Sequence, residues 1–235
     1  MATIGGLNIK KTGLVFSFNP KAKRCYPRTG NVVTELGSYK QGTIANATFR
    51  PDIAKGVFEF DGTDDYINFN YAYTAAGQEI GTGNVEYTIE AWIYVRSSSG
   101  TTTSADAIIG NRSSTGIGFQ VGISNGNPRI NYGARSTSNF YSSEFSYNTW
   151  MHVTLTRFTS DPNCITYLNG VLDISADNDL NTQAPSDGDM RIGNASGRVP
   201  GYFDGYIGSI RIYNTALSAE QVLRHYSRQK RRFGL

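Results

Sequence analysis

The chain has 235 residues and a formal net charge of +3, with 39% hydrophobic but only 17% charged residues. Gly (26), Tyr (15) and Phe (12) are plentiful, which suits many short strands joined by tight turns and argues against a helix-rich protein. A chain of this length buries roughly 70% of its unfolded surface, so its core needs no disulfide or metal to hold it together.

All-β sandwiches often run to roughly 200 to 250 residues as one unit, so a single domain over 1–235 is expected. Neither an apolar run of about 18 residues nor a charged leader with an apolar centre is present, and the expectation is no membrane span and no secretory signal. Cys25 and Cys164 are the only cysteines; they stand in no metal-type spacing, and two buried free thiols are expected over the alternative of a single disulfide.

Short runs of β-branched and aromatic residues bounded by turn formers predict strands over 14–18, 43–49, 56–60 and 66–69. Over 85–95 the chain alternates. Val85, Tyr87, Ile89, Ala91, Ile93 and Val95 fall on one face, read as core, while Glu86, Thr88, Glu90, Trp92 and Tyr94 fall on a wetter one that is covered only in part. A meander over 107–110, 116–124 and 128–132 follows, with Asn125-Gly126 as a hairpin turn because both residues tolerate positive φ. Asn169-Gly170 repeats that signal between strands over 164–168 and 171–175, after a strand over 150–157. Strands over 190–193 and 203–213 complete the series. One helix is predicted, opened by a capping box from Ser218 to Gln221, with Val222, Leu223 and Tyr226 as a narrow apolar stripe. The segments 97–104 and 177–189 read as polar loops.

Hydrolysis of a sugar with retention needs two carboxylates roughly 5 to 5.5 Å apart. Glu86 and Glu90 stand four residues apart on the face opposite the core and read as solvated strand charges, so no catalytic residue is expected. His152 and His225 lie in no triad or metal spacing and read as satisfied structural residues. Asp61, Asp64 and Asp65 cluster around Gly62 and offer the hard oxygen ligands that calcium takes, although a simple Asp-Gly turn accounts for them better. No cofactor is required by anything else in the chain.

The stretch 132–150 mixes aromatic rings with Ser and Asn, as binding surfaces often do. Tyr132, Phe140, Tyr141 and Tyr147 are its candidates for stacking on sugars, the alternative being packing under loops or in an oligomer interface. The basic segment 224–235 carries Arg228, Lys230, Arg231 and Arg232. Phe233 and Leu235 beside them favour docking onto an acidic protein partner over a nucleic-acid contact, which a purely electrostatic arm would make without apolar residues.

Taken in order, Phe60-Asp61-Gly62, Asp65-Tyr66-Ile67, the run from Tyr87 to Ile93, Trp150-Met151-His152-Val153, Tyr167-Leu168-Asn169-Gly170, Ile192-Gly193 and Phe203-Asp204-Gly205-Tyr206-Ile207 resemble the laminin-G/pentraxin-like branch of the concanavalin A-like lectin/glucanase superfamily. Ile210-Arg211-Ile212-Tyr213-Asn214 and Ala216-Leu217-Ser218-Ala219-Glu220 extend the likeness. The opening Gly13-Leu14-Val15-Phe16 with Cys25-Tyr26-Pro27, and the ending from Gln229 to Leu235, resemble the version found in bacteriophage structural proteins. This resemblance implies an all-β, two-sheet antiparallel jelly-roll sandwich with one short C-terminal helix. It also implies a non-catalytic role on a virion surface, as capsid decoration or a fibre component, in contact with capsid, tail or fibre subunits. Such a protein would be assembled in the host cytoplasm and would act as a homo-oligomer without membrane contact. The alternative it carries is a lectin for a host-surface polysaccharide, with a glycoside hydrolase more remote. Two departures stand out from the family pattern. Asn19 replaces an acidic residue usual after the first strand, and Gly208-Ser209 replaces an Asp-Glu pair usual before the last Arg-Ile-Tyr. Both remove carboxylates, against inherited calcium binding.

Overall fold

Alternation along the strands divides the molecule into inward and outward positions, and the inward ones build one core between two sheets. The computed structural model describes residues 12–70, 86–98, 106–111, 120–124, 128–135, 138–160, 162–176, 189–194 and 201–235. In chain order the strands are β1 (Leu14–Phe18), β2 (Val32–Thr34), β3 (Gln41–Ala45), β4 (Thr48–Arg50), β5 (Val57–Asp61), β6 (Tyr66–Asn68), β7 (Tyr87–Ser97) and β8 (Asp106–Gly110). They continue with β9 (Gln120–Ser124), β10 (Arg129–Arg135), β11 (Ser138–Tyr141), β12 (Trp150–Arg157), β13 (Cys164–Leu168), β14 (Val171–Ala176), β15 (Arg191–Ile192) and β16 (Asp204–Tyr213). Helix α1 (Ala219–Gln229) and a 3-10 turn (Lys230–Phe233) close the chain.

The first sheet runs β14-β13-β12-β7-β16-β5-β4, with β1 also paired to β16; the second runs β11-β10-β9-β8-β15-β6-β3-β2. All the paired strands are antiparallel. The expected architecture is therefore present: a two-sheet antiparallel sandwich with one short C-terminal helix. Ile89, Ala91, Ile93 and Val95 of β7 meet Phe58, Phe60, Ile207, Ile210 and Ile212 of the same sheet in one core with Ile67, Ile109, Ile123, Ile130 and Ile192 of the other. Burying one such side chain contributes about 1.5 to 3 kcal/mol.

The strand expected over 43–49 is two strands. Asn46 takes a left-handed φ of 62°, a conformation Asn tolerates better than most residues, and this corner carries the chain from β3 in the second sheet to β4 in the first. At the other anticipated corner, Asn169 (φ 53°) and Gly170 (φ 77°) form the tight turn between β13 and β14, as the Asn-Gly pair predicts. The Asn125-Gly126 pair lies outside the described residues. Cys25 and Cys164 are buried free thiols, and burial pushes the Cys25 thiol up to about 12.

The capping box is formed. Ser218 accepts from the Gln221 backbone, and the Gln221 side chain accepts from the Ser218 N–H. The outward face of β7 is covered in part, as expected, but the cover is deep: Thr88, Glu90 and Trp92 are buried, because α1 and the 3-10 turn lie across the outer face of the first sheet, while Tyr94 is half-buried. Glu86, just before β7, is exposed.

Candidate functional site

The covered part of that outer face is built around one carboxylate. Glu90 on β7 stands opposite Thr154 of β12 and Arg211 of β16, so any cation projecting from those strands or from the overlying helix reaches it. Arg211 Nη1 donates to Oε1 at 2.6 Å, and His225 Nδ1 of α1 lies 2.9 Å from Oε2. His152 Nε2 is 3.7 Å from the same oxygen. Burial drives the Glu90 carboxyl up, but the His225 hydrogen bond and the neighbouring charges of Arg211, His225 and His152 outweigh it and hold its pKa at about 2. Burial lowers His152 to about 4, with Arg211 and His225 adding to the effect against the pull of Glu90. Glu90 is thus a buried ion-pair centre, which corrects its reading as a solvated strand charge. His225 is satisfied as expected, but neither ring nitrogen of His152 has a hydrogen-bond partner, which corrects that expectation.

Beyond this cluster the C-terminus ends in an anchor. The Phe233 ring stacks on Trp92 at 4.2 Å and 11° and packs on Trp150 at 4.6 Å. Arg232 donates to the carbonyls of Ala54 (2.7 Å), Gly56 (2.7 Å) and Gly208 (3.3 Å) and to Asn19 Oδ1 (3.1 Å). A Cβ on Gly208 would lie 2.5 Å from the Phe233 ring, and Ser209 Oγ meets the Gln229 amide at 3.4 Å. Asn19, Gly208 and Ser209 are therefore all contacts of the C-terminal segment. Phe233 and Arg232 dock onto their own sandwich, which corrects their assignment to an external partner. Arg228 and Lys230 are half-buried, with Lys230 Nζ 5.7 Å from the Tyr226 ring centre, while Arg231 and Leu235 are exposed.

Next to the clasp the same face stays open. Register places Trp150 of β12 opposite Tyr94 of β7, and Tyr94 opposite Tyr206 of β16, so three half-buried rings form one row across adjacent strands. Ring centres are 5.7 Å apart for Tyr94 and Trp150, 5.4 Å for Tyr94 and Tyr206, and 6.3 Å for Trp150 and Tyr206. Rigid strands fix these rings before anything binds, which removes much of the ordering cost of association. Polar groups line one end. Arg96 lies over Tyr206 at 5.3 Å and pairs with Asp204 (2.7 Å) and Glu59, which also holds Arg50 at 2.7 Å. Flat amphipathic rings beside fixed donors and acceptors can stack on the C–H face of a sugar and bond its hydroxyls.

The aromatic residues singled out in the sequence mostly point elsewhere. Tyr132 and Phe140 are 2% and 5% exposed in the core, because both take inward register positions on paired strands; this corrects their assignment to a sugar site. Tyr141 faces outward on the second sheet opposite Asn131 and is half-buried. Tyr147 packs against the core edge, and burial, reinforced by Asp106, pushes its hydroxyl pKa up. Asp61, Asp64 and Asp65 do come together, with carboxylate oxygens within 4.8 Å of one another. Asp65 accepts from the Asp61 N–H at 2.9 Å and Asp61 from the Thr63 N–H at 2.8 Å, bonds that the turn itself requires. Burial, with Asp61, Asp64 and Glu59 nearby, lifts Asp65 to about 6. The trio has the donor chemistry of a calcium site.

A family model described as Laminin_G_3, concanavalin A-like lectin/glucanases superfamily, matches residues 61–223. No curated protein sequence matches the chain. Among solved structures it is similar to a mutant Trypanosoma rangeli sialidase displaying trans-sialidase activity, with a TM-score of 0.67 and 16% identity over 97% of this chain and 35% of the sialidase. It is also similar to domain 4 of an extracellular arabinanase from Geobacillus stearothermophilus in complex with arabinotriose, with a TM-score of 0.62 and 16% identity over 92% of this chain and 98% of that one. The chain thus spans about a third of the length of the sialidase, and at these identities the likeness is one of fold.

Proposed function

The chain belongs to the concanavalin A-like lectin/glucanase superfamily, and we propose that within it this protein is a non-catalytic module that grips a glycan on the Trp150–Tyr94–Tyr206 row. The row itself carries this reading: three rings, aligned by strand register and half-open beside a ladder of charged groups. Glu90, the one carboxylate at the centre of the face, is held by Arg211 and His225 and is sealed from any substrate. The arabinanase domain with its arabinotriose supports a sugar as the ligand class. The resemblance of the chain's two ends to bacteriophage structural proteins supports a virion surface as its setting, with capsid, tail or fibre subunits as neighbours, homo-oligomeric assembly in the host cytoplasm, and host-surface polysaccharide as the glycan. No cofactor takes part in this reading.

A glycan array of host-surface polysaccharide fragments, run in calcium and again in chelator, tests it. Retention of a fragment equally in both conditions, weakened at least tenfold in Trp150→Ala, is expected; no retention in either condition contradicts the proposal. Mass spectrometry of purified particles tests the setting separately, and absence of the chain there removes the virion role while leaving the glycan site standing.

A further inference from the structure

Four cations crowd one spot behind the clasp. The turn after β1 and the turn between β4 and β5 meet at Gly56. A Cβ there would lie 2.8 Å from Arg28 Nη1 and 3.3 Å from Lys21 Cα, so only glycine lets the two segments close. The Gly56 carbonyl accepts from Arg232, whose Nε also donates to Ala54. Arg28 is held by the Lys21 carbonyl at 2.8 Å and lies over the Phe49 ring at 4.4 Å, and its buried Nη1 has no partner. Lys55 sits between Ala54 and Gly56, and both Lys21 and Lys55 are exposed. Burial and the charges of Arg232 and Lys55 hold the Lys21 pKa down; burial, Arg211 and Arg28 lower Arg232 to about 10. Among the described residues, none of Lys21, Arg28, Lys55 and Arg232 forms an ion pair with a carboxylate.

The backbone is strained at the same place. Arg28 (φ 80°), Ala54 (φ 43°) and Lys55 (φ 60°) all sit in the left-handed region, with Gly56 at 119°. Such positions persist where the surroundings hold them, and they cluster at ligand sites. Like charges brought together without a counter-charge also oppose folding. Among the described residues no carboxylate offsets the charge, whereas one multivalent anion would.

We propose that Lys21, Arg28, Lys55 and Arg232 form a binding site for a tetrahedral oxyanion, the sulfate or phosphate group of a larger ligand or the free ion. The unpartnered Arg28 Nη1 donates to one oxygen of such a group, Arg232 adds its charge while its donors hold backbone carbonyls and Asn19, and the ammonium groups act as adjustable point charges. The site shares no residue with the aromatic row and does not depend on it.

Thermal denaturation in chloride, sulfate and phosphate at matched ionic strength tests the site. Binding to the folded state alone raises Tm by mass action, so about 10 mM sulfate or phosphate is expected to raise it by a few degrees above chloride. Lys21→Ala and Lys55→Ala change exposed side chains and keep the fold. Each is expected to abolish the oxyanion-specific shift and, in low-salt chloride, to raise Tm by relieving repulsion. Equal Tm in the three salts, or an undiminished shift in both variants, overturns the site. A sulfated oligosaccharide that displaces inorganic sulfate identifies a polymer-borne group, whereas equal binding of the inorganic ions identifies a free one; both outcomes sustain it. Duplex DNA that binds while neither inorganic ion shifts Tm also overturns it.

Discussion

One strand serves two surfaces. Glu90 and Trp92 lie under α1 and Phe233, while Tyr94, two residues on, is only half-buried. The backbone alternation is the same for all three, so the strand does not distinguish them. The C-terminal segment does, by covering Thr88, Glu90 and Trp92 and touching only the Trp150 end of the next row. The covered half is a buried charge cluster sealed by an aromatic stack, whose every partner is internal. The open half keeps three rings and a ladder of ion pairs with capacity left for a ligand.

The contrast breaks most severely if the buried centre loses its charge. Glu90→Gln leaves Arg211 and His225 in the dark without a carboxylate, and removing one partner of a buried pair typically costs about 3 to 5 kcal/mol. Urea denaturation should show a loss of that size with the row's ligand affinity unchanged in whatever folded fraction remains. Phe233→Ala comes next, at about 3 kcal/mol for a buried aromatic truncation. Both tryptophans of the chain touch Phe233, so a red-shifted emission at neutral pH should accompany that loss.

A smaller effect appears on acidification. His152 titrates at about 4 in the fold against 6.5 ordinarily, so the unfolded chain takes up its proton first and stability falls as pH drops from 6.5 towards 4. Asp65 runs the other way: at about 6 against 3.8, the folded state takes the proton first, and stability rises as pH drops through 6. Glu90, at about 2 against 4.5, contributes stability above 4.5 that is lost only as pH falls towards 2. The first two oppose each other between pH 6 and 4 and leave the wild type with a shallow profile. Asp65→Asn keeps an acceptor for the Asp61 N–H and removes one opposing slope. Its stability should therefore fall more steeply over that interval, by about 2 kcal/mol relative to wild type; parallel profiles would show that Asp65 does not titrate as described. The smallest stability change is expected on the open half, where Tyr206→Ala should cost about 1 kcal/mol or less and act on ligand binding instead.

Much of this architecture is legible in the residues. The inward positions of β7, the turn at Asn169-Gly170 and the capping box at Ser218 follow from local rules, and each is where those rules put it. Phe233 within a basic run signals docking, but the sequence does not say onto what; its partners are Trp92 and Gly208, far away along the chain. Tyr132 and Phe140 look like any other rings in a polar stretch until strand pairing sends both inward. The row of Trp150, Tyr94 and Tyr206 is invisible for the same reason. Each is an outward aromatic in its own strand, and only the register of β12 and β16 against β7 aligns them. The strand over 43–49 breaks at Asn46 because the chain must change sheets there, a requirement of topology that propensity does not carry.

The measurement closest to the central claim is a calorimetric titration of a glycan retained by the wild type into Tyr206→Ala and Phe140→Ala, with the unfolding midpoint of each variant recorded beside it. A glycan-binding row predicts that Tyr206→Ala loses at least tenfold in affinity at nearly unchanged stability, while Phe140→Ala loses stability and keeps affinity in its folded state. Full affinity in Tyr206→Ala would contradict the account.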